Sequence, residues 1–148
     1  MLKPFKEEDL AIYLTLSDEF YSSEATDHPV PQEHFRQTFK AVVSGSPLAR
    51  GWLIEDEGQI VGYCLASLTW SNEFGGKVAW LEELYLKQQT RGKGLGRRVF
   101  ERLIDKLKLE EQVAGFRLEV TPANKSVASL YESAGFSWAP YLEMWRTA

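Results

Sequence analysis

Apolar residues recur along this chain with two different periods, and the switches between them mark out its elements. In "EEDLAIYLTLSDEFY", Leu10, Tyr13, Leu14, Leu16, Phe20 and Tyr21 fall at near-helical spacing and predict a first helix. The stretch "SSEATDHPVP" carries Ser, Asp and two prolines, so it predicts a loop. "QEHFRQTFKAVV" sets Phe35, Phe39, Val42 and Val43 on one stripe, a second helix closed by "SGSP". The β-rich runs "GWLIED" and "QIVGYCLASLTW" flank "EDEG", a hairpin signal, and "KVAWLEELYL" follows the turn "SNEFGG". Three consecutive strands of this kind predict an antiparallel meander.

Helical spacing returns at Val99, Phe100, Leu103, Ile104 and Leu107, a strongly amphipathic pattern. "AGFRLEVT" then predicts a strand. "NKSVASLYESAG" predicts a helix with Asn124 as its N-cap and Gly135 as its C-cap glycine. "FSW" and "YLEMWR" predict closing strands, and the five tryptophans, which mostly follow strand patterns, are assigned to the core. The order ααβββαβαβ makes α/β or α+β with a mixed sheet the expected class. No repeat, low-complexity tract or linker interrupts it, so residues 1–148 are expected to form one domain.

Composition narrows the function classes. The chain has 148 residues, 44% of them hydrophobic, which suffices for a buried core. A net charge of −4, without a basic run outside the glycine segment and Lys106/Lys108, argues against nucleic acid as partner. The opening "MLKPFKEEDL" is charged and lacks the apolar core of a secretory leader. No stretch approaches the roughly 18 apolar residues of a membrane span. The expectation is a cytoplasmic domain with no membrane partner. The single cysteine, Cys64, lies within an apolar run and is expected to be a small buried hydrophobe. His28 and His34 lack a third ligand at plausible spacing, so no metal site is expected.

The densest chemical signal is "LYLKQQTRGKGLGRRVFERLIDKL". A phosphate-binding P-loop needs Ser or Thr after Gly-Lys, but Gly92-Lys93 is followed by Gly94. A dinucleotide GxGxxG fails as well, because Val99 and Arg97 stand where the third glycine would be needed. What remains is a strand, then Arg91-x-x-Gly94-x-Gly96, then a helix. Gly92, Gly94 and Gly96 leave amide groups unshielded at a helix N-terminus, where orphan donors and the helix dipole favour phosphate. Arg91, Lys93, Arg97 and Arg98 add positive charge around a diphosphate.

With "NKSVASLYESAGF" downstream, this segment resembles the GNAT superfamily of acetyl-CoA-dependent N-acetyltransferases. The family's Arg/Gln-x-x-Gly-x-Gly/Ala motif falls on Arg91, Gly94 and Gly96. Its Asn…Leu-Tyr-Glu…Gly-Phe motif falls on Asn124, Leu130, Tyr131, Glu132, Gly135 and Phe136. The resemblance runs from about Gly51 to Phe136. It implies a mixed, mostly antiparallel sheet flanked by helices, in the order βααβββαβαββ. It also implies acetyl-CoA as co-substrate, its pyrophosphate on the amides of Gly92, Lys93, Gly94, Leu95, Gly96 and Arg97, with Arg91 and Asn124 nearby. The pantetheine arm would then pair with the backbone of Leu84, Tyr85 and Leu86.

Acetyl transfer to an amine requires that an ammonium of pKa ~10.4 lose a proton, at a cost of about 4–5 kcal/mol at neutral pH. A carboxylate relays such a proton directly or through water. Glu82 falls where spermidine/spermine-like members carry their proposed base, and strand alternation points Glu83 to the opposite face. Glu83 and water stay open as alternatives for the base. The resemblance makes Tyr131 the donor to the departing sulfur, on one helical face with Asn124 and Ala128. A strand amide near Leu84 is the expected oxyanion donor. Direct attack leaves Cys64 without a chemical role.

The first two helices and their loop form the acceptor wall in this family. Here they carry Phe20, Tyr21, Glu24 and Asp27, with Asp18 and Glu19, a combination that suits a cationic amine. "TWSNEFGGKVAWLEELYL" is similar to the corresponding stretch of polyamine and thialysine acetyltransferases, which points to a small diamine or lysine-like acceptor. A homodimer is also implied. Acetylation of a protein N-terminus or lysine, and a silent acetyl-CoA-binding regulatory module, are the alternatives.

Overall fold

The apolar runs between Ala49 and Leu86 pair into the centre of a five-stranded sheet, in a computed structural model that describes residues 1–148. Strand β1 is Leu2–Pro4, β2 is Ala49–Asp56, β3 is Gln59–Ser71, β4 is Gly76–Leu86 and β5 is Gly115–Leu118. The spatial order is β1-β2-β3-β4-β5, antiparallel throughout except for the parallel β4/β5 pair. Helices α1 (Leu10–Tyr21), α2 (Gln32–Val43), α3 (Leu95–Glu111) and α4 (Ala128–Ser133) complete a mixed α/β fold. No helix is long and apolar enough to cross a membrane.

Alternation along the strands divides the core between two faces. Leu53, Tyr63, Leu65 and Tyr85 meet Tyr13, Leu16, Phe20, Phe35 and Phe39 of α1 and α2. Their intervening neighbours Trp52, Cys64, Ala66 and Ala79 meet Leu103 and Leu107 of α3, while Leu86 meets Leu95 and Val99. The expected role of Cys64 holds: it is fully buried, and burial raises its thiol pKa well above the ordinary value.

The pairing of β3 with β4 slips once. Leu65 of β3 faces Glu83, but the next residue, Ala66, faces Leu81. Glu82 is therefore an extra residue in β4, a bulge that interrupts the pleat. Leu81 and Leu84 both pack with the α3-side cluster. The two acids between them turn the other way. Glu83 bonds Tyr63, and Glu82 accepts from Ser67, which shares the face of Tyr63 and Leu65. The expectation of opposite faces is corrected: both carboxylates lie on the α1/α2 side.

The C-terminal segment departs from expectation too. Neither Phe136–Trp138 nor Tyr141–Arg146 forms a strand, and the sheet ends at β5. Pro140 removes a ladder donor in mid-segment. Leu142 and Met144 stand 98% and 95% exposed, so no apolar face anchors a pairing register. The segment is held by side chains instead, with Trp138 Nε1 donating to Glu132 at 3.2 Å and Tyr141 Oη to Glu73 at 2.8 Å. The assignment of tryptophans to the core fails for the same reason. Trp52 is buried, but Trp138 and Trp145 project from this segment, and Trp70 lies one pair from the turn of the β3/β4 hairpin.

Gly62 on β3 allows the neighbouring strand its approach: a Cβ there would sit 2.0 Å from the Tyr85 carbonyl oxygen. Because backbone blocks the space, Gly62→Ala is expected to destabilise the fold by about 1–3 kcal/mol. A lower urea midpoint with unchanged slope is the expected observation, and an unchanged midpoint would show that β4 shifts without cost.

Candidate active site

Strands β4 and β5 pair only from Val78↔Gly115 to Leu81↔Leu118. Beyond Leu81 the bulge turns β4 aside, and the two strands part. The wedge between them is a cleft open to solvent, with a cavity of about 70 Å³. One wall is Leu81 to Leu84, the other Leu118 to Thr121. Phe20 and Ala25 close the α1/α2 side, while Phe100, Asn124 and Tyr131 close the α3/α4 side. The cleft thus passes from one face of the sheet to the other. No lysine or arginine lines it.

The glycine turn follows β4, between Leu86 and the start of α3. Gly92 (φ +79°) and Gly94 (φ +74°) take left-handed conformations, and Gly94 is the N-cap of α3. The first helical bond is Arg98 N–H to the Gly94 carbonyl at 3.2 Å. The amides from Gly92 to Arg97 donate to no acceptor within the chain. A run of orphan donors at the positive end of a 17-residue helix is an anion cradle. A Cβ at Gly92 would meet nothing within 4 Å, and one at Gly94 only Arg98 at 3.7 Å, so the space over the turn is open. This donor set fits a diphosphate.

The basic residues divide their duties. Arg91 Nε donates to the Leu86 carbonyl at 2.8 Å, and its guanidinium lies 5.5 Å from the centre of the Tyr85 ring. It ties the turn to β4. Arg97 pairs with Glu101 at 2.9 Å, and Arg98 reaches the Lys93 carbonyl at 3.3 Å. Lys93 makes no ion pair. Leu84, Tyr85 and Leu86, the residues expected to offer backbone, stand on β4 beyond its pairing with β5.

Asn124 reaches the cleft by a different route from the one expected. Thr121 takes the N-cap position and Pro122 the first turn of a short 3₁₀ segment, Pro122–Val127. Asn124 sits inside it with non-helical angles (φ −105°, ψ 21°), so its N-cap assignment is corrected. Its side chain lines the cleft and makes no hydrogen bond within the chain. Tyr131, one turn into α4, packs its ring 5.0 Å from Phe100 and 6.3 Å from Phe136. Its hydroxyl has no partner in the chain, and burial raises its pKa.

The carboxylates differ in setting. Glu82 is exposed at the cleft mouth. Glu83 has its carboxylate enclosed: Tyr21 Oη donates to it at 2.6 Å and Tyr63 Oη at 2.5 Å. Burial raises the Glu83 pKa above the usual carboxylate range, the two phenol bonds oppose that rise, and the charge on Glu82 adds to it. Across the cleft, a hydrogen bond with Glu143 and partial burial push Glu119 up to about 7. Sequence reasoning missed Glu119. Its only signal was its place a few residues before the 3₁₀ segment.

Of the residues proposed for the acceptor, Phe20 and Tyr21 reach the cleft region and Tyr21 serves Glu83. The side chains of Glu24 and Asp27 lie outside the lining; Asp27 turns to His28 at 2.8 Å. Glu24 contributes its backbone, accepting from Thr121 Oγ1 at 3.0 Å, so the α1–α2 loop reaches across to the β5 wall.

Comparison with known proteins agrees with this geometry. The acetyltransferase (GNAT) family profile matches residues 10–136. The thialysine N-epsilon-acetyltransferase of Bos taurus is 29% identical over 140 residues, covering 93% of this chain and 78% of the bovine protein. That of Sus scrofa is 30% identical over 88 residues, covering 60% of this chain; the match spans about half (51%) of the porcine protein. A predicted acetyltransferase from Clostridium acetobutylicum, solved with acetyl-CoA, shares the fold with a TM-score of 0.76 at 15% identity, over 97% of this chain and 94% of that one. The orphan amides ahead of α3, the parted strands and the profile match over most of the chain lead to one conclusion: this protein belongs to the acetyltransferase (GNAT) family.

Proposed function

We propose that the chain is an acetyl-CoA-dependent N-acetyltransferase acting on a small cationic primary amine by direct attack in a ternary complex. The observation that carries this is the cleft itself. It sets a pair of carboxylates on one face against a partnerless tyrosine hydroxyl on the other, on the strand that leads into the anion cradle. Acetyl-CoA supplies an activated acyl group on a sulfur leaving group. The amides of Gly92 to Arg97 would hold its diphosphate, with Lys93 as a free cation, and Leu84–Leu86, past the last β5 pair, offers a backbone edge to its amide-bearing arm.

The protein's own groups divide the remaining work. A carboxylate at the β4 bulge takes a proton from the ammonium. Tyr131 holds a proton on the opposite side of the cleft, where a departing thiolate needs a donor. An amide near Leu84 stabilises negative charge developing on the acyl oxygen. Cys64, buried within the α3-side core, takes no part. The cationic acceptor is supported by a cleft lined with Glu82, Glu83 and Glu119 and no basic residue, and by relatives named for acting on thialysine. A homodimer belongs to the same proposal, supported by the exposed Tyr141, Leu142, Met144 and Trp145.

Acetyl-CoA is expected to raise the melting temperature of the parent chain. Gly94→Val, forced into a left-handed conformation and covering the cradle, should weaken acetyl-CoA binding more than about tenfold by calorimetry. Absence of acetyl-CoA affinity in the parent would remove the central assignment.

Thiol release with a panel of amines tests the reaction. Diamines and lysine analogues should outpace neutral and anionic amines. The preference should weaken with salt, since charges across an open cleft are screened over about 8–10 Å. Tyr131→Phe should lower turnover roughly 10²-fold with little effect on acetyl-CoA affinity. Equal rates on cationic and anionic amines would reject the cationic acceptor.

A further inference from the structure

One carboxylate in the cleft wall is gripped by two phenols, Tyr21 on Oε1 and Tyr63 on Oε2. Tyr63 is fully buried, with the rings of Tyr13 and Phe20 edge-on to it at 5.4 and 6.2 Å. Tyr21 is held as firmly, stacked on Phe35 at 5.1 Å and edge-on to Phe20 at 5.0 Å. Neither hydroxyl is free to swing away from Glu83. Enclosing a carboxylate and two phenols costs stability relative to apolar side chains of the same shape. Such a cluster, placed where β4 leaves β5, calls for a task in the cleft.

We propose that Glu83 is the proton acceptor of the site, and that Tyr21 and Tyr63 are positioning residues that aim and hold its carboxylate. The proposal rests on the acetyltransferase reading above. A carboxylate has about four lone-pair sites, so two phenol bonds leave capacity for a third donor. In the step, an N–H bond of the acceptor ammonium breaks and an O–H bond forms on Glu83. The electron pair stays on nitrogen, which becomes the nucleophile. The proton then leaves to water at the mouth, beside Glu82.

The surroundings of this carboxylate are acidic and phenolic. Tyr13 and Tyr21 face Glu83 from α1, Tyr63 from β3 and Glu82 from its own strand. Glu119 and Tyr131 line the cleft opposite. None of these is a cation. Burial and the Glu82 charge raise the proton affinity of Glu83, and the two phenol bonds oppose that rise. Glu82 has solvent on one side and Ser67 on the other, with nothing further to aim it.

The test combines turnover with a direct titration. Glu83→Gln should lower kcat/KM at neutral pH by roughly 10²-fold or more, and Glu82→Gln by less. Tyr63→Phe removes a bond that favours the charged form, so the Glu83 pKa should rise. The acidic limb of the kcat/KM profile then moves to higher pH, because the base must be unprotonated to act. Tyr21→Phe should move it in the same direction, and serves if Tyr63→Phe does not fold. Carbon-13 NMR of the labelled Glu83 carboxyl should show the same upward shift without any substrate. A clasp that only joined α1 to β4 would lower the melting temperature and leave the limb in place, which would overturn the proposal. So would a larger loss for Glu82→Gln than for Glu83→Gln. If no amine elicits thiol release from the parent, the acetyltransferase reading fails and the catalytic role falls with it; the carboxyl titration still decides separately whether the phenols tune Glu83.

Discussion

Everything distinctive about this molecule stems from a failure of pairing. Two parallel strands hold together for four residue pairs and then separate, because one strand carries an extra residue that the other side of the sheet cannot match. Unpaired backbone is costly when buried away from water. The parted edges are therefore kept accessible, and the chain has placed its polar and ionisable groups around them. Helix α3 follows β4 in the chain, and the free amides at its start form the anion cradle. The bulge, the wedge and the cradle form one device.

The two faces of the sheet contribute different chemistry to that device. On the α1/α2 side, aromatic rings build a rigid wall that carries carboxylates. On the α3/α4 side, Phe100 and Phe136 support Tyr131, whose hydroxyl is left without an internal partner. Cys64 marks the contrast, since a nucleophilic atom is present one strand away and is sealed in the core. The architecture favours two reactants meeting over a covalent relay through the protein.

Much of this was legible in the sequence because periodicity reports burial. The helices over Leu10–Tyr21, Gln32–Val43 and Leu95–Glu111 and the meander from Ala49 to Leu86 follow their apolar stripes closely. Glycines at 92, 94 and 96 announced the cradle by their density. What escaped were features that arise between elements. Alternation put Glu82 and Glu83 on opposite faces, and a bulge, which depends on the partner strand, put them on the same one. Asn124 looked like a helix cap, but Thr121-Pro122 started the turn earlier. The role of Tyr63 escaped as well, since nothing in a run of β-rich residues reveals that its hydroxyl meets an acid twenty positions later. "YLEMWR" has the residues of a strand, yet strand formation needs a buried face as well as suitable residues, and none is offered to it.

A sheet is normally a partition, with each face closed to the other by its own ladder. Here the partition has a doorway, and the doorway is where the chemistry converges. A molecule seated on the α3/α4 side leaves the α1/α2 side vacant, and the converse holds. On the proposed reading, two reactants would enter through separate vestibules, one on each face. Arg91, which links the glycine turn to Leu86 and Tyr85, and Tyr85, whose hydroxyl reaches Glu19 of α1 at 2.7 Å, form a strut between the vestibules. Three side chains thereby tie the glycine turn, β4 and α1 into one frame.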